Sequence, residues 1–173
     1  MISRTGNGVW TAADVCAEIA SIFRVRTTEV GLLQLRNGAL TFVFPGELGA
    51  VGSIPLSSSA IAARTAQNRN AEIFNRFADV KHHTVFERIK IPNEGTGECQ
   101  IIQKLMSAAV IGGDGSVLGV LQVSRKGITP AAAGADFTAA DLECLQVIAN
   151  EVASLMSLMT DTQRTTRQLK FLS

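Results

Sequence analysis

Few residues in this 173-residue chain are equipped for chemistry, and their spacing limits what that chemistry can be. The only histidines, His82 and His83, are adjacent, and Glu87 follows His83 by four residues. That places two potential ligands on one helix face, but a metal site needs at least a third donor and a supporting shell. Nothing nearby supplies them, so no metal is expected. A neutral imidazole still offers one donor and one acceptor to a bound molecule, which keeps His82 as a binding candidate. The three cysteines, Cys16, Cys99 and Cys144, are odd in number and widely spaced, with no Cys-x-x-Cys. They do not form a disulfide framework. Free cysteine more often serves as a small buried hydrophobe. Gly113-Asp114-Gly115-Ser116 lacks the Lys-Ser/Thr and the following helix of a phosphate loop, and a hairpin turn accounts for it.

The remaining candidates are polar residues in apolar surroundings. Ser57, Ser58 and Ser59 precede a short helical stretch, where hydroxyls and helix N–H groups together suit an anion. Ser107 interrupts an apolar run, as do Gln34 and Gln122. For each of these a cap or a solvent-facing side chain is an equal alternative. Phe74, Asn75, Phe77 and His82 are the candidates for a roof over a pocket.

Elements that could position these residues are marked by their punctuation. Thr11-Ala12-Ala13-Asp14 reads as a capping box, and Val15, Ile19, Ile22 and Phe23 follow at helical spacing. Asn37-Gly38 between two apolar runs, Glu29 to Arg36 and Ala39 to Phe44, predicts a hairpin with a type I′ turn. Residues 47–96 are irregular; a short helix from Ala60 to Ala66 is the one clear element, and Glu72 to Ile91 fits neither period. A second hairpin runs from Lys104 to Ile111 and returns over Val117 to Val123. Thr138-Ala139-Ala140-Asp141 repeats the first capping box letter for letter. Leu145, Ile148, Val152, Leu155 and Met159 follow at alternating spacings of three and four, an a/d seam of which part must cover the sheet and part could pair with a second chain. Two hairpins too small to stand alone must share one sheet, with the helices grouped against it.

Composition sets the outer bounds. Hydrophobic residues make up 46% of the chain, enough for a sizeable core in one domain. A net charge of +1 argues against a nucleic-acid binder, which shows a basic face. No run approaches the length of a membrane span and the N-terminus has no apolar signal region, so a soluble cytoplasmic protein is expected.

Ser107 to Ala153 is the most specific stretch. A strand, a Gly-Asp-Gly turn and Val117-Leu118-Gly119-Val120-Leu121-Gln122-Val123 precede Phe137-Thr138-Ala139-Ala140-Asp141-Leu142. This order resembles the GAF domain family, and the likeness extends over about residues 11–160. Residues 1–10 are then an extension, and 161–173 a tail continuing the last helix. The resemblance implies an α+β, PAS-related fold. Its antiparallel sheet has five or six strands, with the first and last helices on one face and a pocket under the irregular segment on the other. It also implies a non-enzymatic sensory module that binds a small molecule, forms a homodimer through its terminal helices and signals to a partner or output domain. The alternatives are a ligand-free dimerisation or protein-interaction module and, behind it, a methionine sulfoxide reductase-like enzyme of this fold.

Ligand motifs of the family survive only in part. Cyclic-nucleotide-binding members carry Asn-Lys, then a Phe, three residues and Asp-Glu. Here the corresponding residues are Arg125-Lys126, Phe137 and Asp141-Leu142. The remnant, Lys126 and Asp141, is read as a structural lock between the loop and the last helix. Bilin-binding members use a Cys usually followed by His, whereas Cys99 is followed by Gln100. The methionine sulfoxide reductases of this fold need two cysteines near the pocket, and only Cys99 falls in that region. Neither ligand nor cofactor is named by the sequence.

Overall fold

The computed structural model describes residues 10–77 and 101–170, with side chains as far as Ser157. His82, His83 and Cys99 lie outside the described residues.

Both capping boxes form. Thr11 caps α1 (Ala12–Phe23), its hydroxyl accepting from the Asp14 N–H while the Asp14 carboxylate accepts from the Thr11 N–H. Arg24, in the left-handed region at φ 52°, ends that helix. Thr138 and Asp141 repeat the geometry at the start of α4 (Ala139–Lys170). Two orphan N–H groups are thereby satisfied reciprocally at each helix start.

Strand β1 (Val30–Arg36) turns into β2 (Ala39–Phe44) through Asn37 and Gly38, at φ 49° and 75°. Positive φ at both central residues is what a type I′ turn demands. A four-residue helix α2 (Gly46–Gly49) leads to β3 (Ser53–Pro55), and α3 (Ile61–Asn68) leads to β4 (Glu72–Phe74). The second hairpin is long: β5 (Ile101–Ile111) and β6 (Val117–Gly127) pair almost throughout. The six described strands join one antiparallel sheet in the order β3-β2-β1-β6-β5-β4.

Strand alternation divides the core in two. Val30 and Leu32, Met106, Ala108 and Val110, and Leu121 and Val123 face α1 and α4, where they meet Ile19, Phe23, Leu145, Ile148 and Val152. On the opposite face, Leu33, Leu40, Ile54 and Val120 meet the alanines Ala60, Ala62, Ala63 and Ala66 around α3. As expected, the terminal helices lie on one side of the sheet, and α3, the described helix of the irregular segment, lies on the other. Gly119 shows why the Gly-Val-Leu-Gln-Val stretch begins as it does. A Cβ there would lie 2.0 Å from the Leu33 carbonyl oxygen and 3.0 Å from Met156 Cε. Within the described residues, no helix is long and apolar enough to cross a membrane.

The first part of the seam on the last helix covers the sheet. Leu145, Ile148 and Val152 are buried against this chain's own sheet, and Leu155 is half-buried beside them. This part of the stripe is core, because the facing strands present an apolar surface that, among the described residues, this helix and α1 cover. Met159 lies beyond the described side chains.

Candidate functional site

A row of residues crosses the α3 face at a single register. Gly31 on β1 pairs with Gln122 on β6, Gln122 with Ser107 on β5, and Ser107 with Glu72 on β4. Directly opposite residues share a face, so the row is continuous across four strands. Above it α3 contributes Thr65 and Arg64. The Thr65 and Ser107 hydroxyl oxygens lie 2.8 Å apart, both residues fully buried. Gln122 Nε2 donates to Ser107 Oγ over 3.2 Å.

Hydrogen accounting gives this file a direction. Thr65 has one hydroxyl proton and donates it to the Ile61 carbonyl at 2.9 Å. Ser107 must then donate to Thr65 and accept from Gln122. The chain runs Gln122 amide, Ser107 hydroxyl, Thr65 hydroxyl, helix carbonyl, and each link polarises the next. Among the described residues the Gln122 side chain makes no other hydrogen bond, so its amide oxygen and second N–H are not spent on them. Among the described residues the single buried side-chain polar atom without a partner is elsewhere, at Arg125 Nε. Gln122 therefore presents a donor and an acceptor side by side, held by the hydroxyls behind it.

Charged groups flank the file but are spent on each other. Arg64 donates to both carboxylate oxygens of Glu72 at 3.2 Å, and its guanidinium lies 5.2 Å from the Phe74 ring centroid. Phe74 meets Phe77 edge to face at 6.5 Å. Phe74, Phe77, Ser107 and Gln122 are thus brought to one face.

Other candidates are not brought there. Ser57 and Ser59 are exposed, and Ser58 bonds only weakly to the Ala60 N–H at 3.4 Å. Ala60, not a serine, is the N-cap of α3, and no side chain caps it. Asn75 looks to the other side of the sheet, where its amide exchanges two 2.9 Å hydrogen bonds with the Phe137 backbone. The expected Lys126–Asp141 lock is not formed. Asp141 is occupied by its capping box, and Lys126 Nζ donates to the Thr28 carbonyl at 3.1 Å. Glu29, buried, accepts from the Lys126 N–H at 2.6 Å and from Arg26. The loop before α4 is fastened instead by Lys104, which bonds to the Gly134 carbonyl and pairs with Asp136 at 2.6 Å.

A sequence model of the GAF domain family matches residues 11–156. The chain belongs to the GAF domain family. A comparison with curated proteins returned no match. Among solved structures, the chain is similar to the GAF domain of an Acinetobacter phosphoenolpyruvate-protein phosphotransferase, at TM-score 0.63 and 16% identity over 91% of this chain and 89% of that one. A GAF domain from a two-component sensor histidine kinase of Bacillus halodurans gives TM-score 0.59 and 14% identity over 88% and 98%. The type II free methionine-R-sulfoxide reductase of Thermoplasma acidophilum gives 0.56 and 14% over 82% and 86%. At these identities the likeness is one of fold.

The described cysteines of this GAF domain stand away from the polar file. Cys16 is fully buried between α1 and the sheet on the opposite face, and burial pushes its thiol up to about 12. A thiol so placed stays protonated and inert. Cys144 is half-buried on α4. The residues missed from sequence are Thr65, Arg64 and Glu72. Thr65 is the one hydroxyl in the Ile61–Ala66 stretch, a signal available in principle, but its meeting with Ser107 spans 42 residues.

Proposed function

We propose that this GAF domain is a regulatory module that holds an uncharged or weakly polar small molecule against the α3 face, with Gln122 as its principal hydrogen-bonding contact. The observation that carries this reading is the directed Gln122–Ser107–Thr65 file, which fixes an amide whose remaining acceptor and donor are not used by any described residue, beside the apolar residues around α3. Pockets of this kind are mostly apolar, with a few convergent polar groups setting specificity. Because Arg64 and Glu72 neutralise each other, nothing in the row selects for a strongly charged ligand.

The test is native mass spectrometry of the purified protein followed by a metabolite thermal-shift screen. A specific ligand raises the melting temperature in proportion to its affinity and concentration. Gln122→Leu should abolish that shift while the unliganded protein stays folded. A ligand whose shift survives Gln122→Leu would overturn the assignment.

The same reading extends to assembly. Signal output runs through α4 to a second copy of the chain and to a partner or output domain. Leu145, Ile148 and Val152 are committed to the core, so pairing would use the outer side of α4, where Val147 is 59% exposed. A monomeric mass by light scattering at micromolar concentration would count against it.

A further inference from the structure

Edge strand β4 serves both faces of the sheet at once. Glu72 and Phe74 look toward α3, where Arg64 pairs with the first and covers the second. Ile73 packs into the opposite core, and Asn75, the next residue after the strand, reaches the backbone of Phe137. Phe137 immediately precedes Thr138, the start of α4. The side-chain amide satisfies both the N–H and the C=O of Phe137, as a strand partner would. Behind it the Phe137 ring is buried under the Arg125 guanidinium at 4.7 Å, and Arg125 Nη2 donates to the Phe23 carbonyl at the end of α1.

The two helix starts supply an internal contrast. Both are Thr-Ala-Ala-Asp capping boxes with the same hydrogen bonds. Among the described residues both threonines bond only within their own helix starts, but Phe137, just before Thr138, is tied to Asn75 across 62 residues, and Trp10, just before Thr11, has no such link. Three paired residues hold β4 to β5, at Ser107, Met106 and Leu105. So short an edge strand belongs to the low-stability end of a fold, where displacement is least costly. The Ser107 link of the polar file is one of those three pairs.

We propose that Asn75 is a positioning residue that transmits the state of the α3-face polar file, through β4, to the first turn of α4. The inference rests on that face being the ligand site, but its test needs no ligand. Thr65→Val removes the hydroxyl that accepts from Ser107 and keeps the side-chain shape. Hydrogen exchange of the full chain then reads peptides covering residues 139–145 against those covering 12–18. Thr65→Val should speed exchange several-fold over 139–145 and leave 12–18 unchanged. Asn75→Ala should do the same, and the double variant should exceed Asn75→Ala by little, because the route is already cut. Asn75→Asp, which keeps the acceptor for the Phe137 N–H, should restore part of the protection and serves where Asn75→Ala unfolds the chain.

Multiplying effects in the double variant would overturn the proposal, as would an unchanged 139–145 segment in Thr65→Val. A metabolite screen separates the two readings. No ligand, with Thr65→Val still reaching α4, removes the ligand site and leaves the linkage. A ligand lost in Gln122→Leu that leaves 139–145 untouched keeps the site and overturns the linkage.

Discussion

The two faces of one sheet are built to different rules. Toward α1 and α4, β5 presents Met106, Ala108 and Val110, and β6 presents Leu121 and Val123, all at most 1% exposed and all apolar. One residue along in each strand, the same hairpin presents Leu105, Ser107 and Ala109 beside Val120 and Gln122 to α3. A buried hydroxyl pair and an amide cost desolvation that aliphatic side chains would avoid. The helix-pair face is optimised for burial, whereas the α3 face spends part of its burial on a directed hydrogen-bond file. The helices follow suit. α4 brings large side chains, and α3 brings alanines that let its backbone approach the sheet.

The contrast breaks most visibly when each face is mutated. Leu121→Ala on the apolar face should cost about 2–5 kcal/mol, because the surrounding core relaxes only partly around the cavity. Chemical denaturation measures it, and a loss under 1 kcal/mol would mean the face is loosely packed. Ser107→Ala on the other face should cost about 1–3 kcal/mol, since it strands the Gln122 N–H and the Thr65 oxygen. Combining it with Thr65→Val should recover part of that loss, as apolar replacement of both partners removes the unpaired group. Strict additivity of the two would deny that the hydroxyls form one network.

This contrast also decides what the sequence could show. Both capping boxes and both hairpin turns were legible, because each is fixed by residues within four positions of one another. Strands β3 and β4 were not, since three residues are too few to display a period. The stripe Leu145, Ile148, Val152 was seen, but spacing alone cannot say whether it meets a partner or the chain's own sheet. Ser107 and Gln122 stood out as polar residues in apolar strands. Their partner Thr65 did not, because the contact depends on how α3 crosses β5. Lys126 and Asp141 were paired on a remnant of a family motif, and each found a closer local partner: a turn carbonyl and a cap.

The helix caps sharpen the comparison at smaller scale. Thr11→Ala and Thr138→Ala should each cost about 1 kcal/mol by the ordinary worth of an N-cap. Only Thr138→Ala should also alter exchange near Asn75, since Phe137, next to Thr138, is bonded to Asn75, whereas among the described residues no such bond lies beside Thr11. The α1 cap should weaken in acid. Hydrogen bonds from the Thr11 hydroxyl and N–H hold the Asp14 carboxyl below its ordinary 3.8. A depressed carboxylate contributes stability above its unfolded value and loses it as pH falls through the folded one. Circular dichroism should therefore show Thr11→Ala and the parent chain converging below that range.

The smallest effect belongs to the charged end of the row. Arg64 and Glu72 are 42% and 34% exposed at the side chain, so their pairing is screened by solvent. Arg64→Met should cost about 0–1 kcal/mol, with the Phe74 contact contributing as much as the charge. Raising salt toward 1 M should erase most of the charge part, where the screening length falls to about 3 Å. The Ser107→Ala loss should hardly change under the same salt, because neutral buried hydrogen bonds are not screened. If instead Arg64→Met proved the costlier of the two, α3 would be held by its ion pair. The hydroxyl file would then be a passenger on a helix fixed by other means.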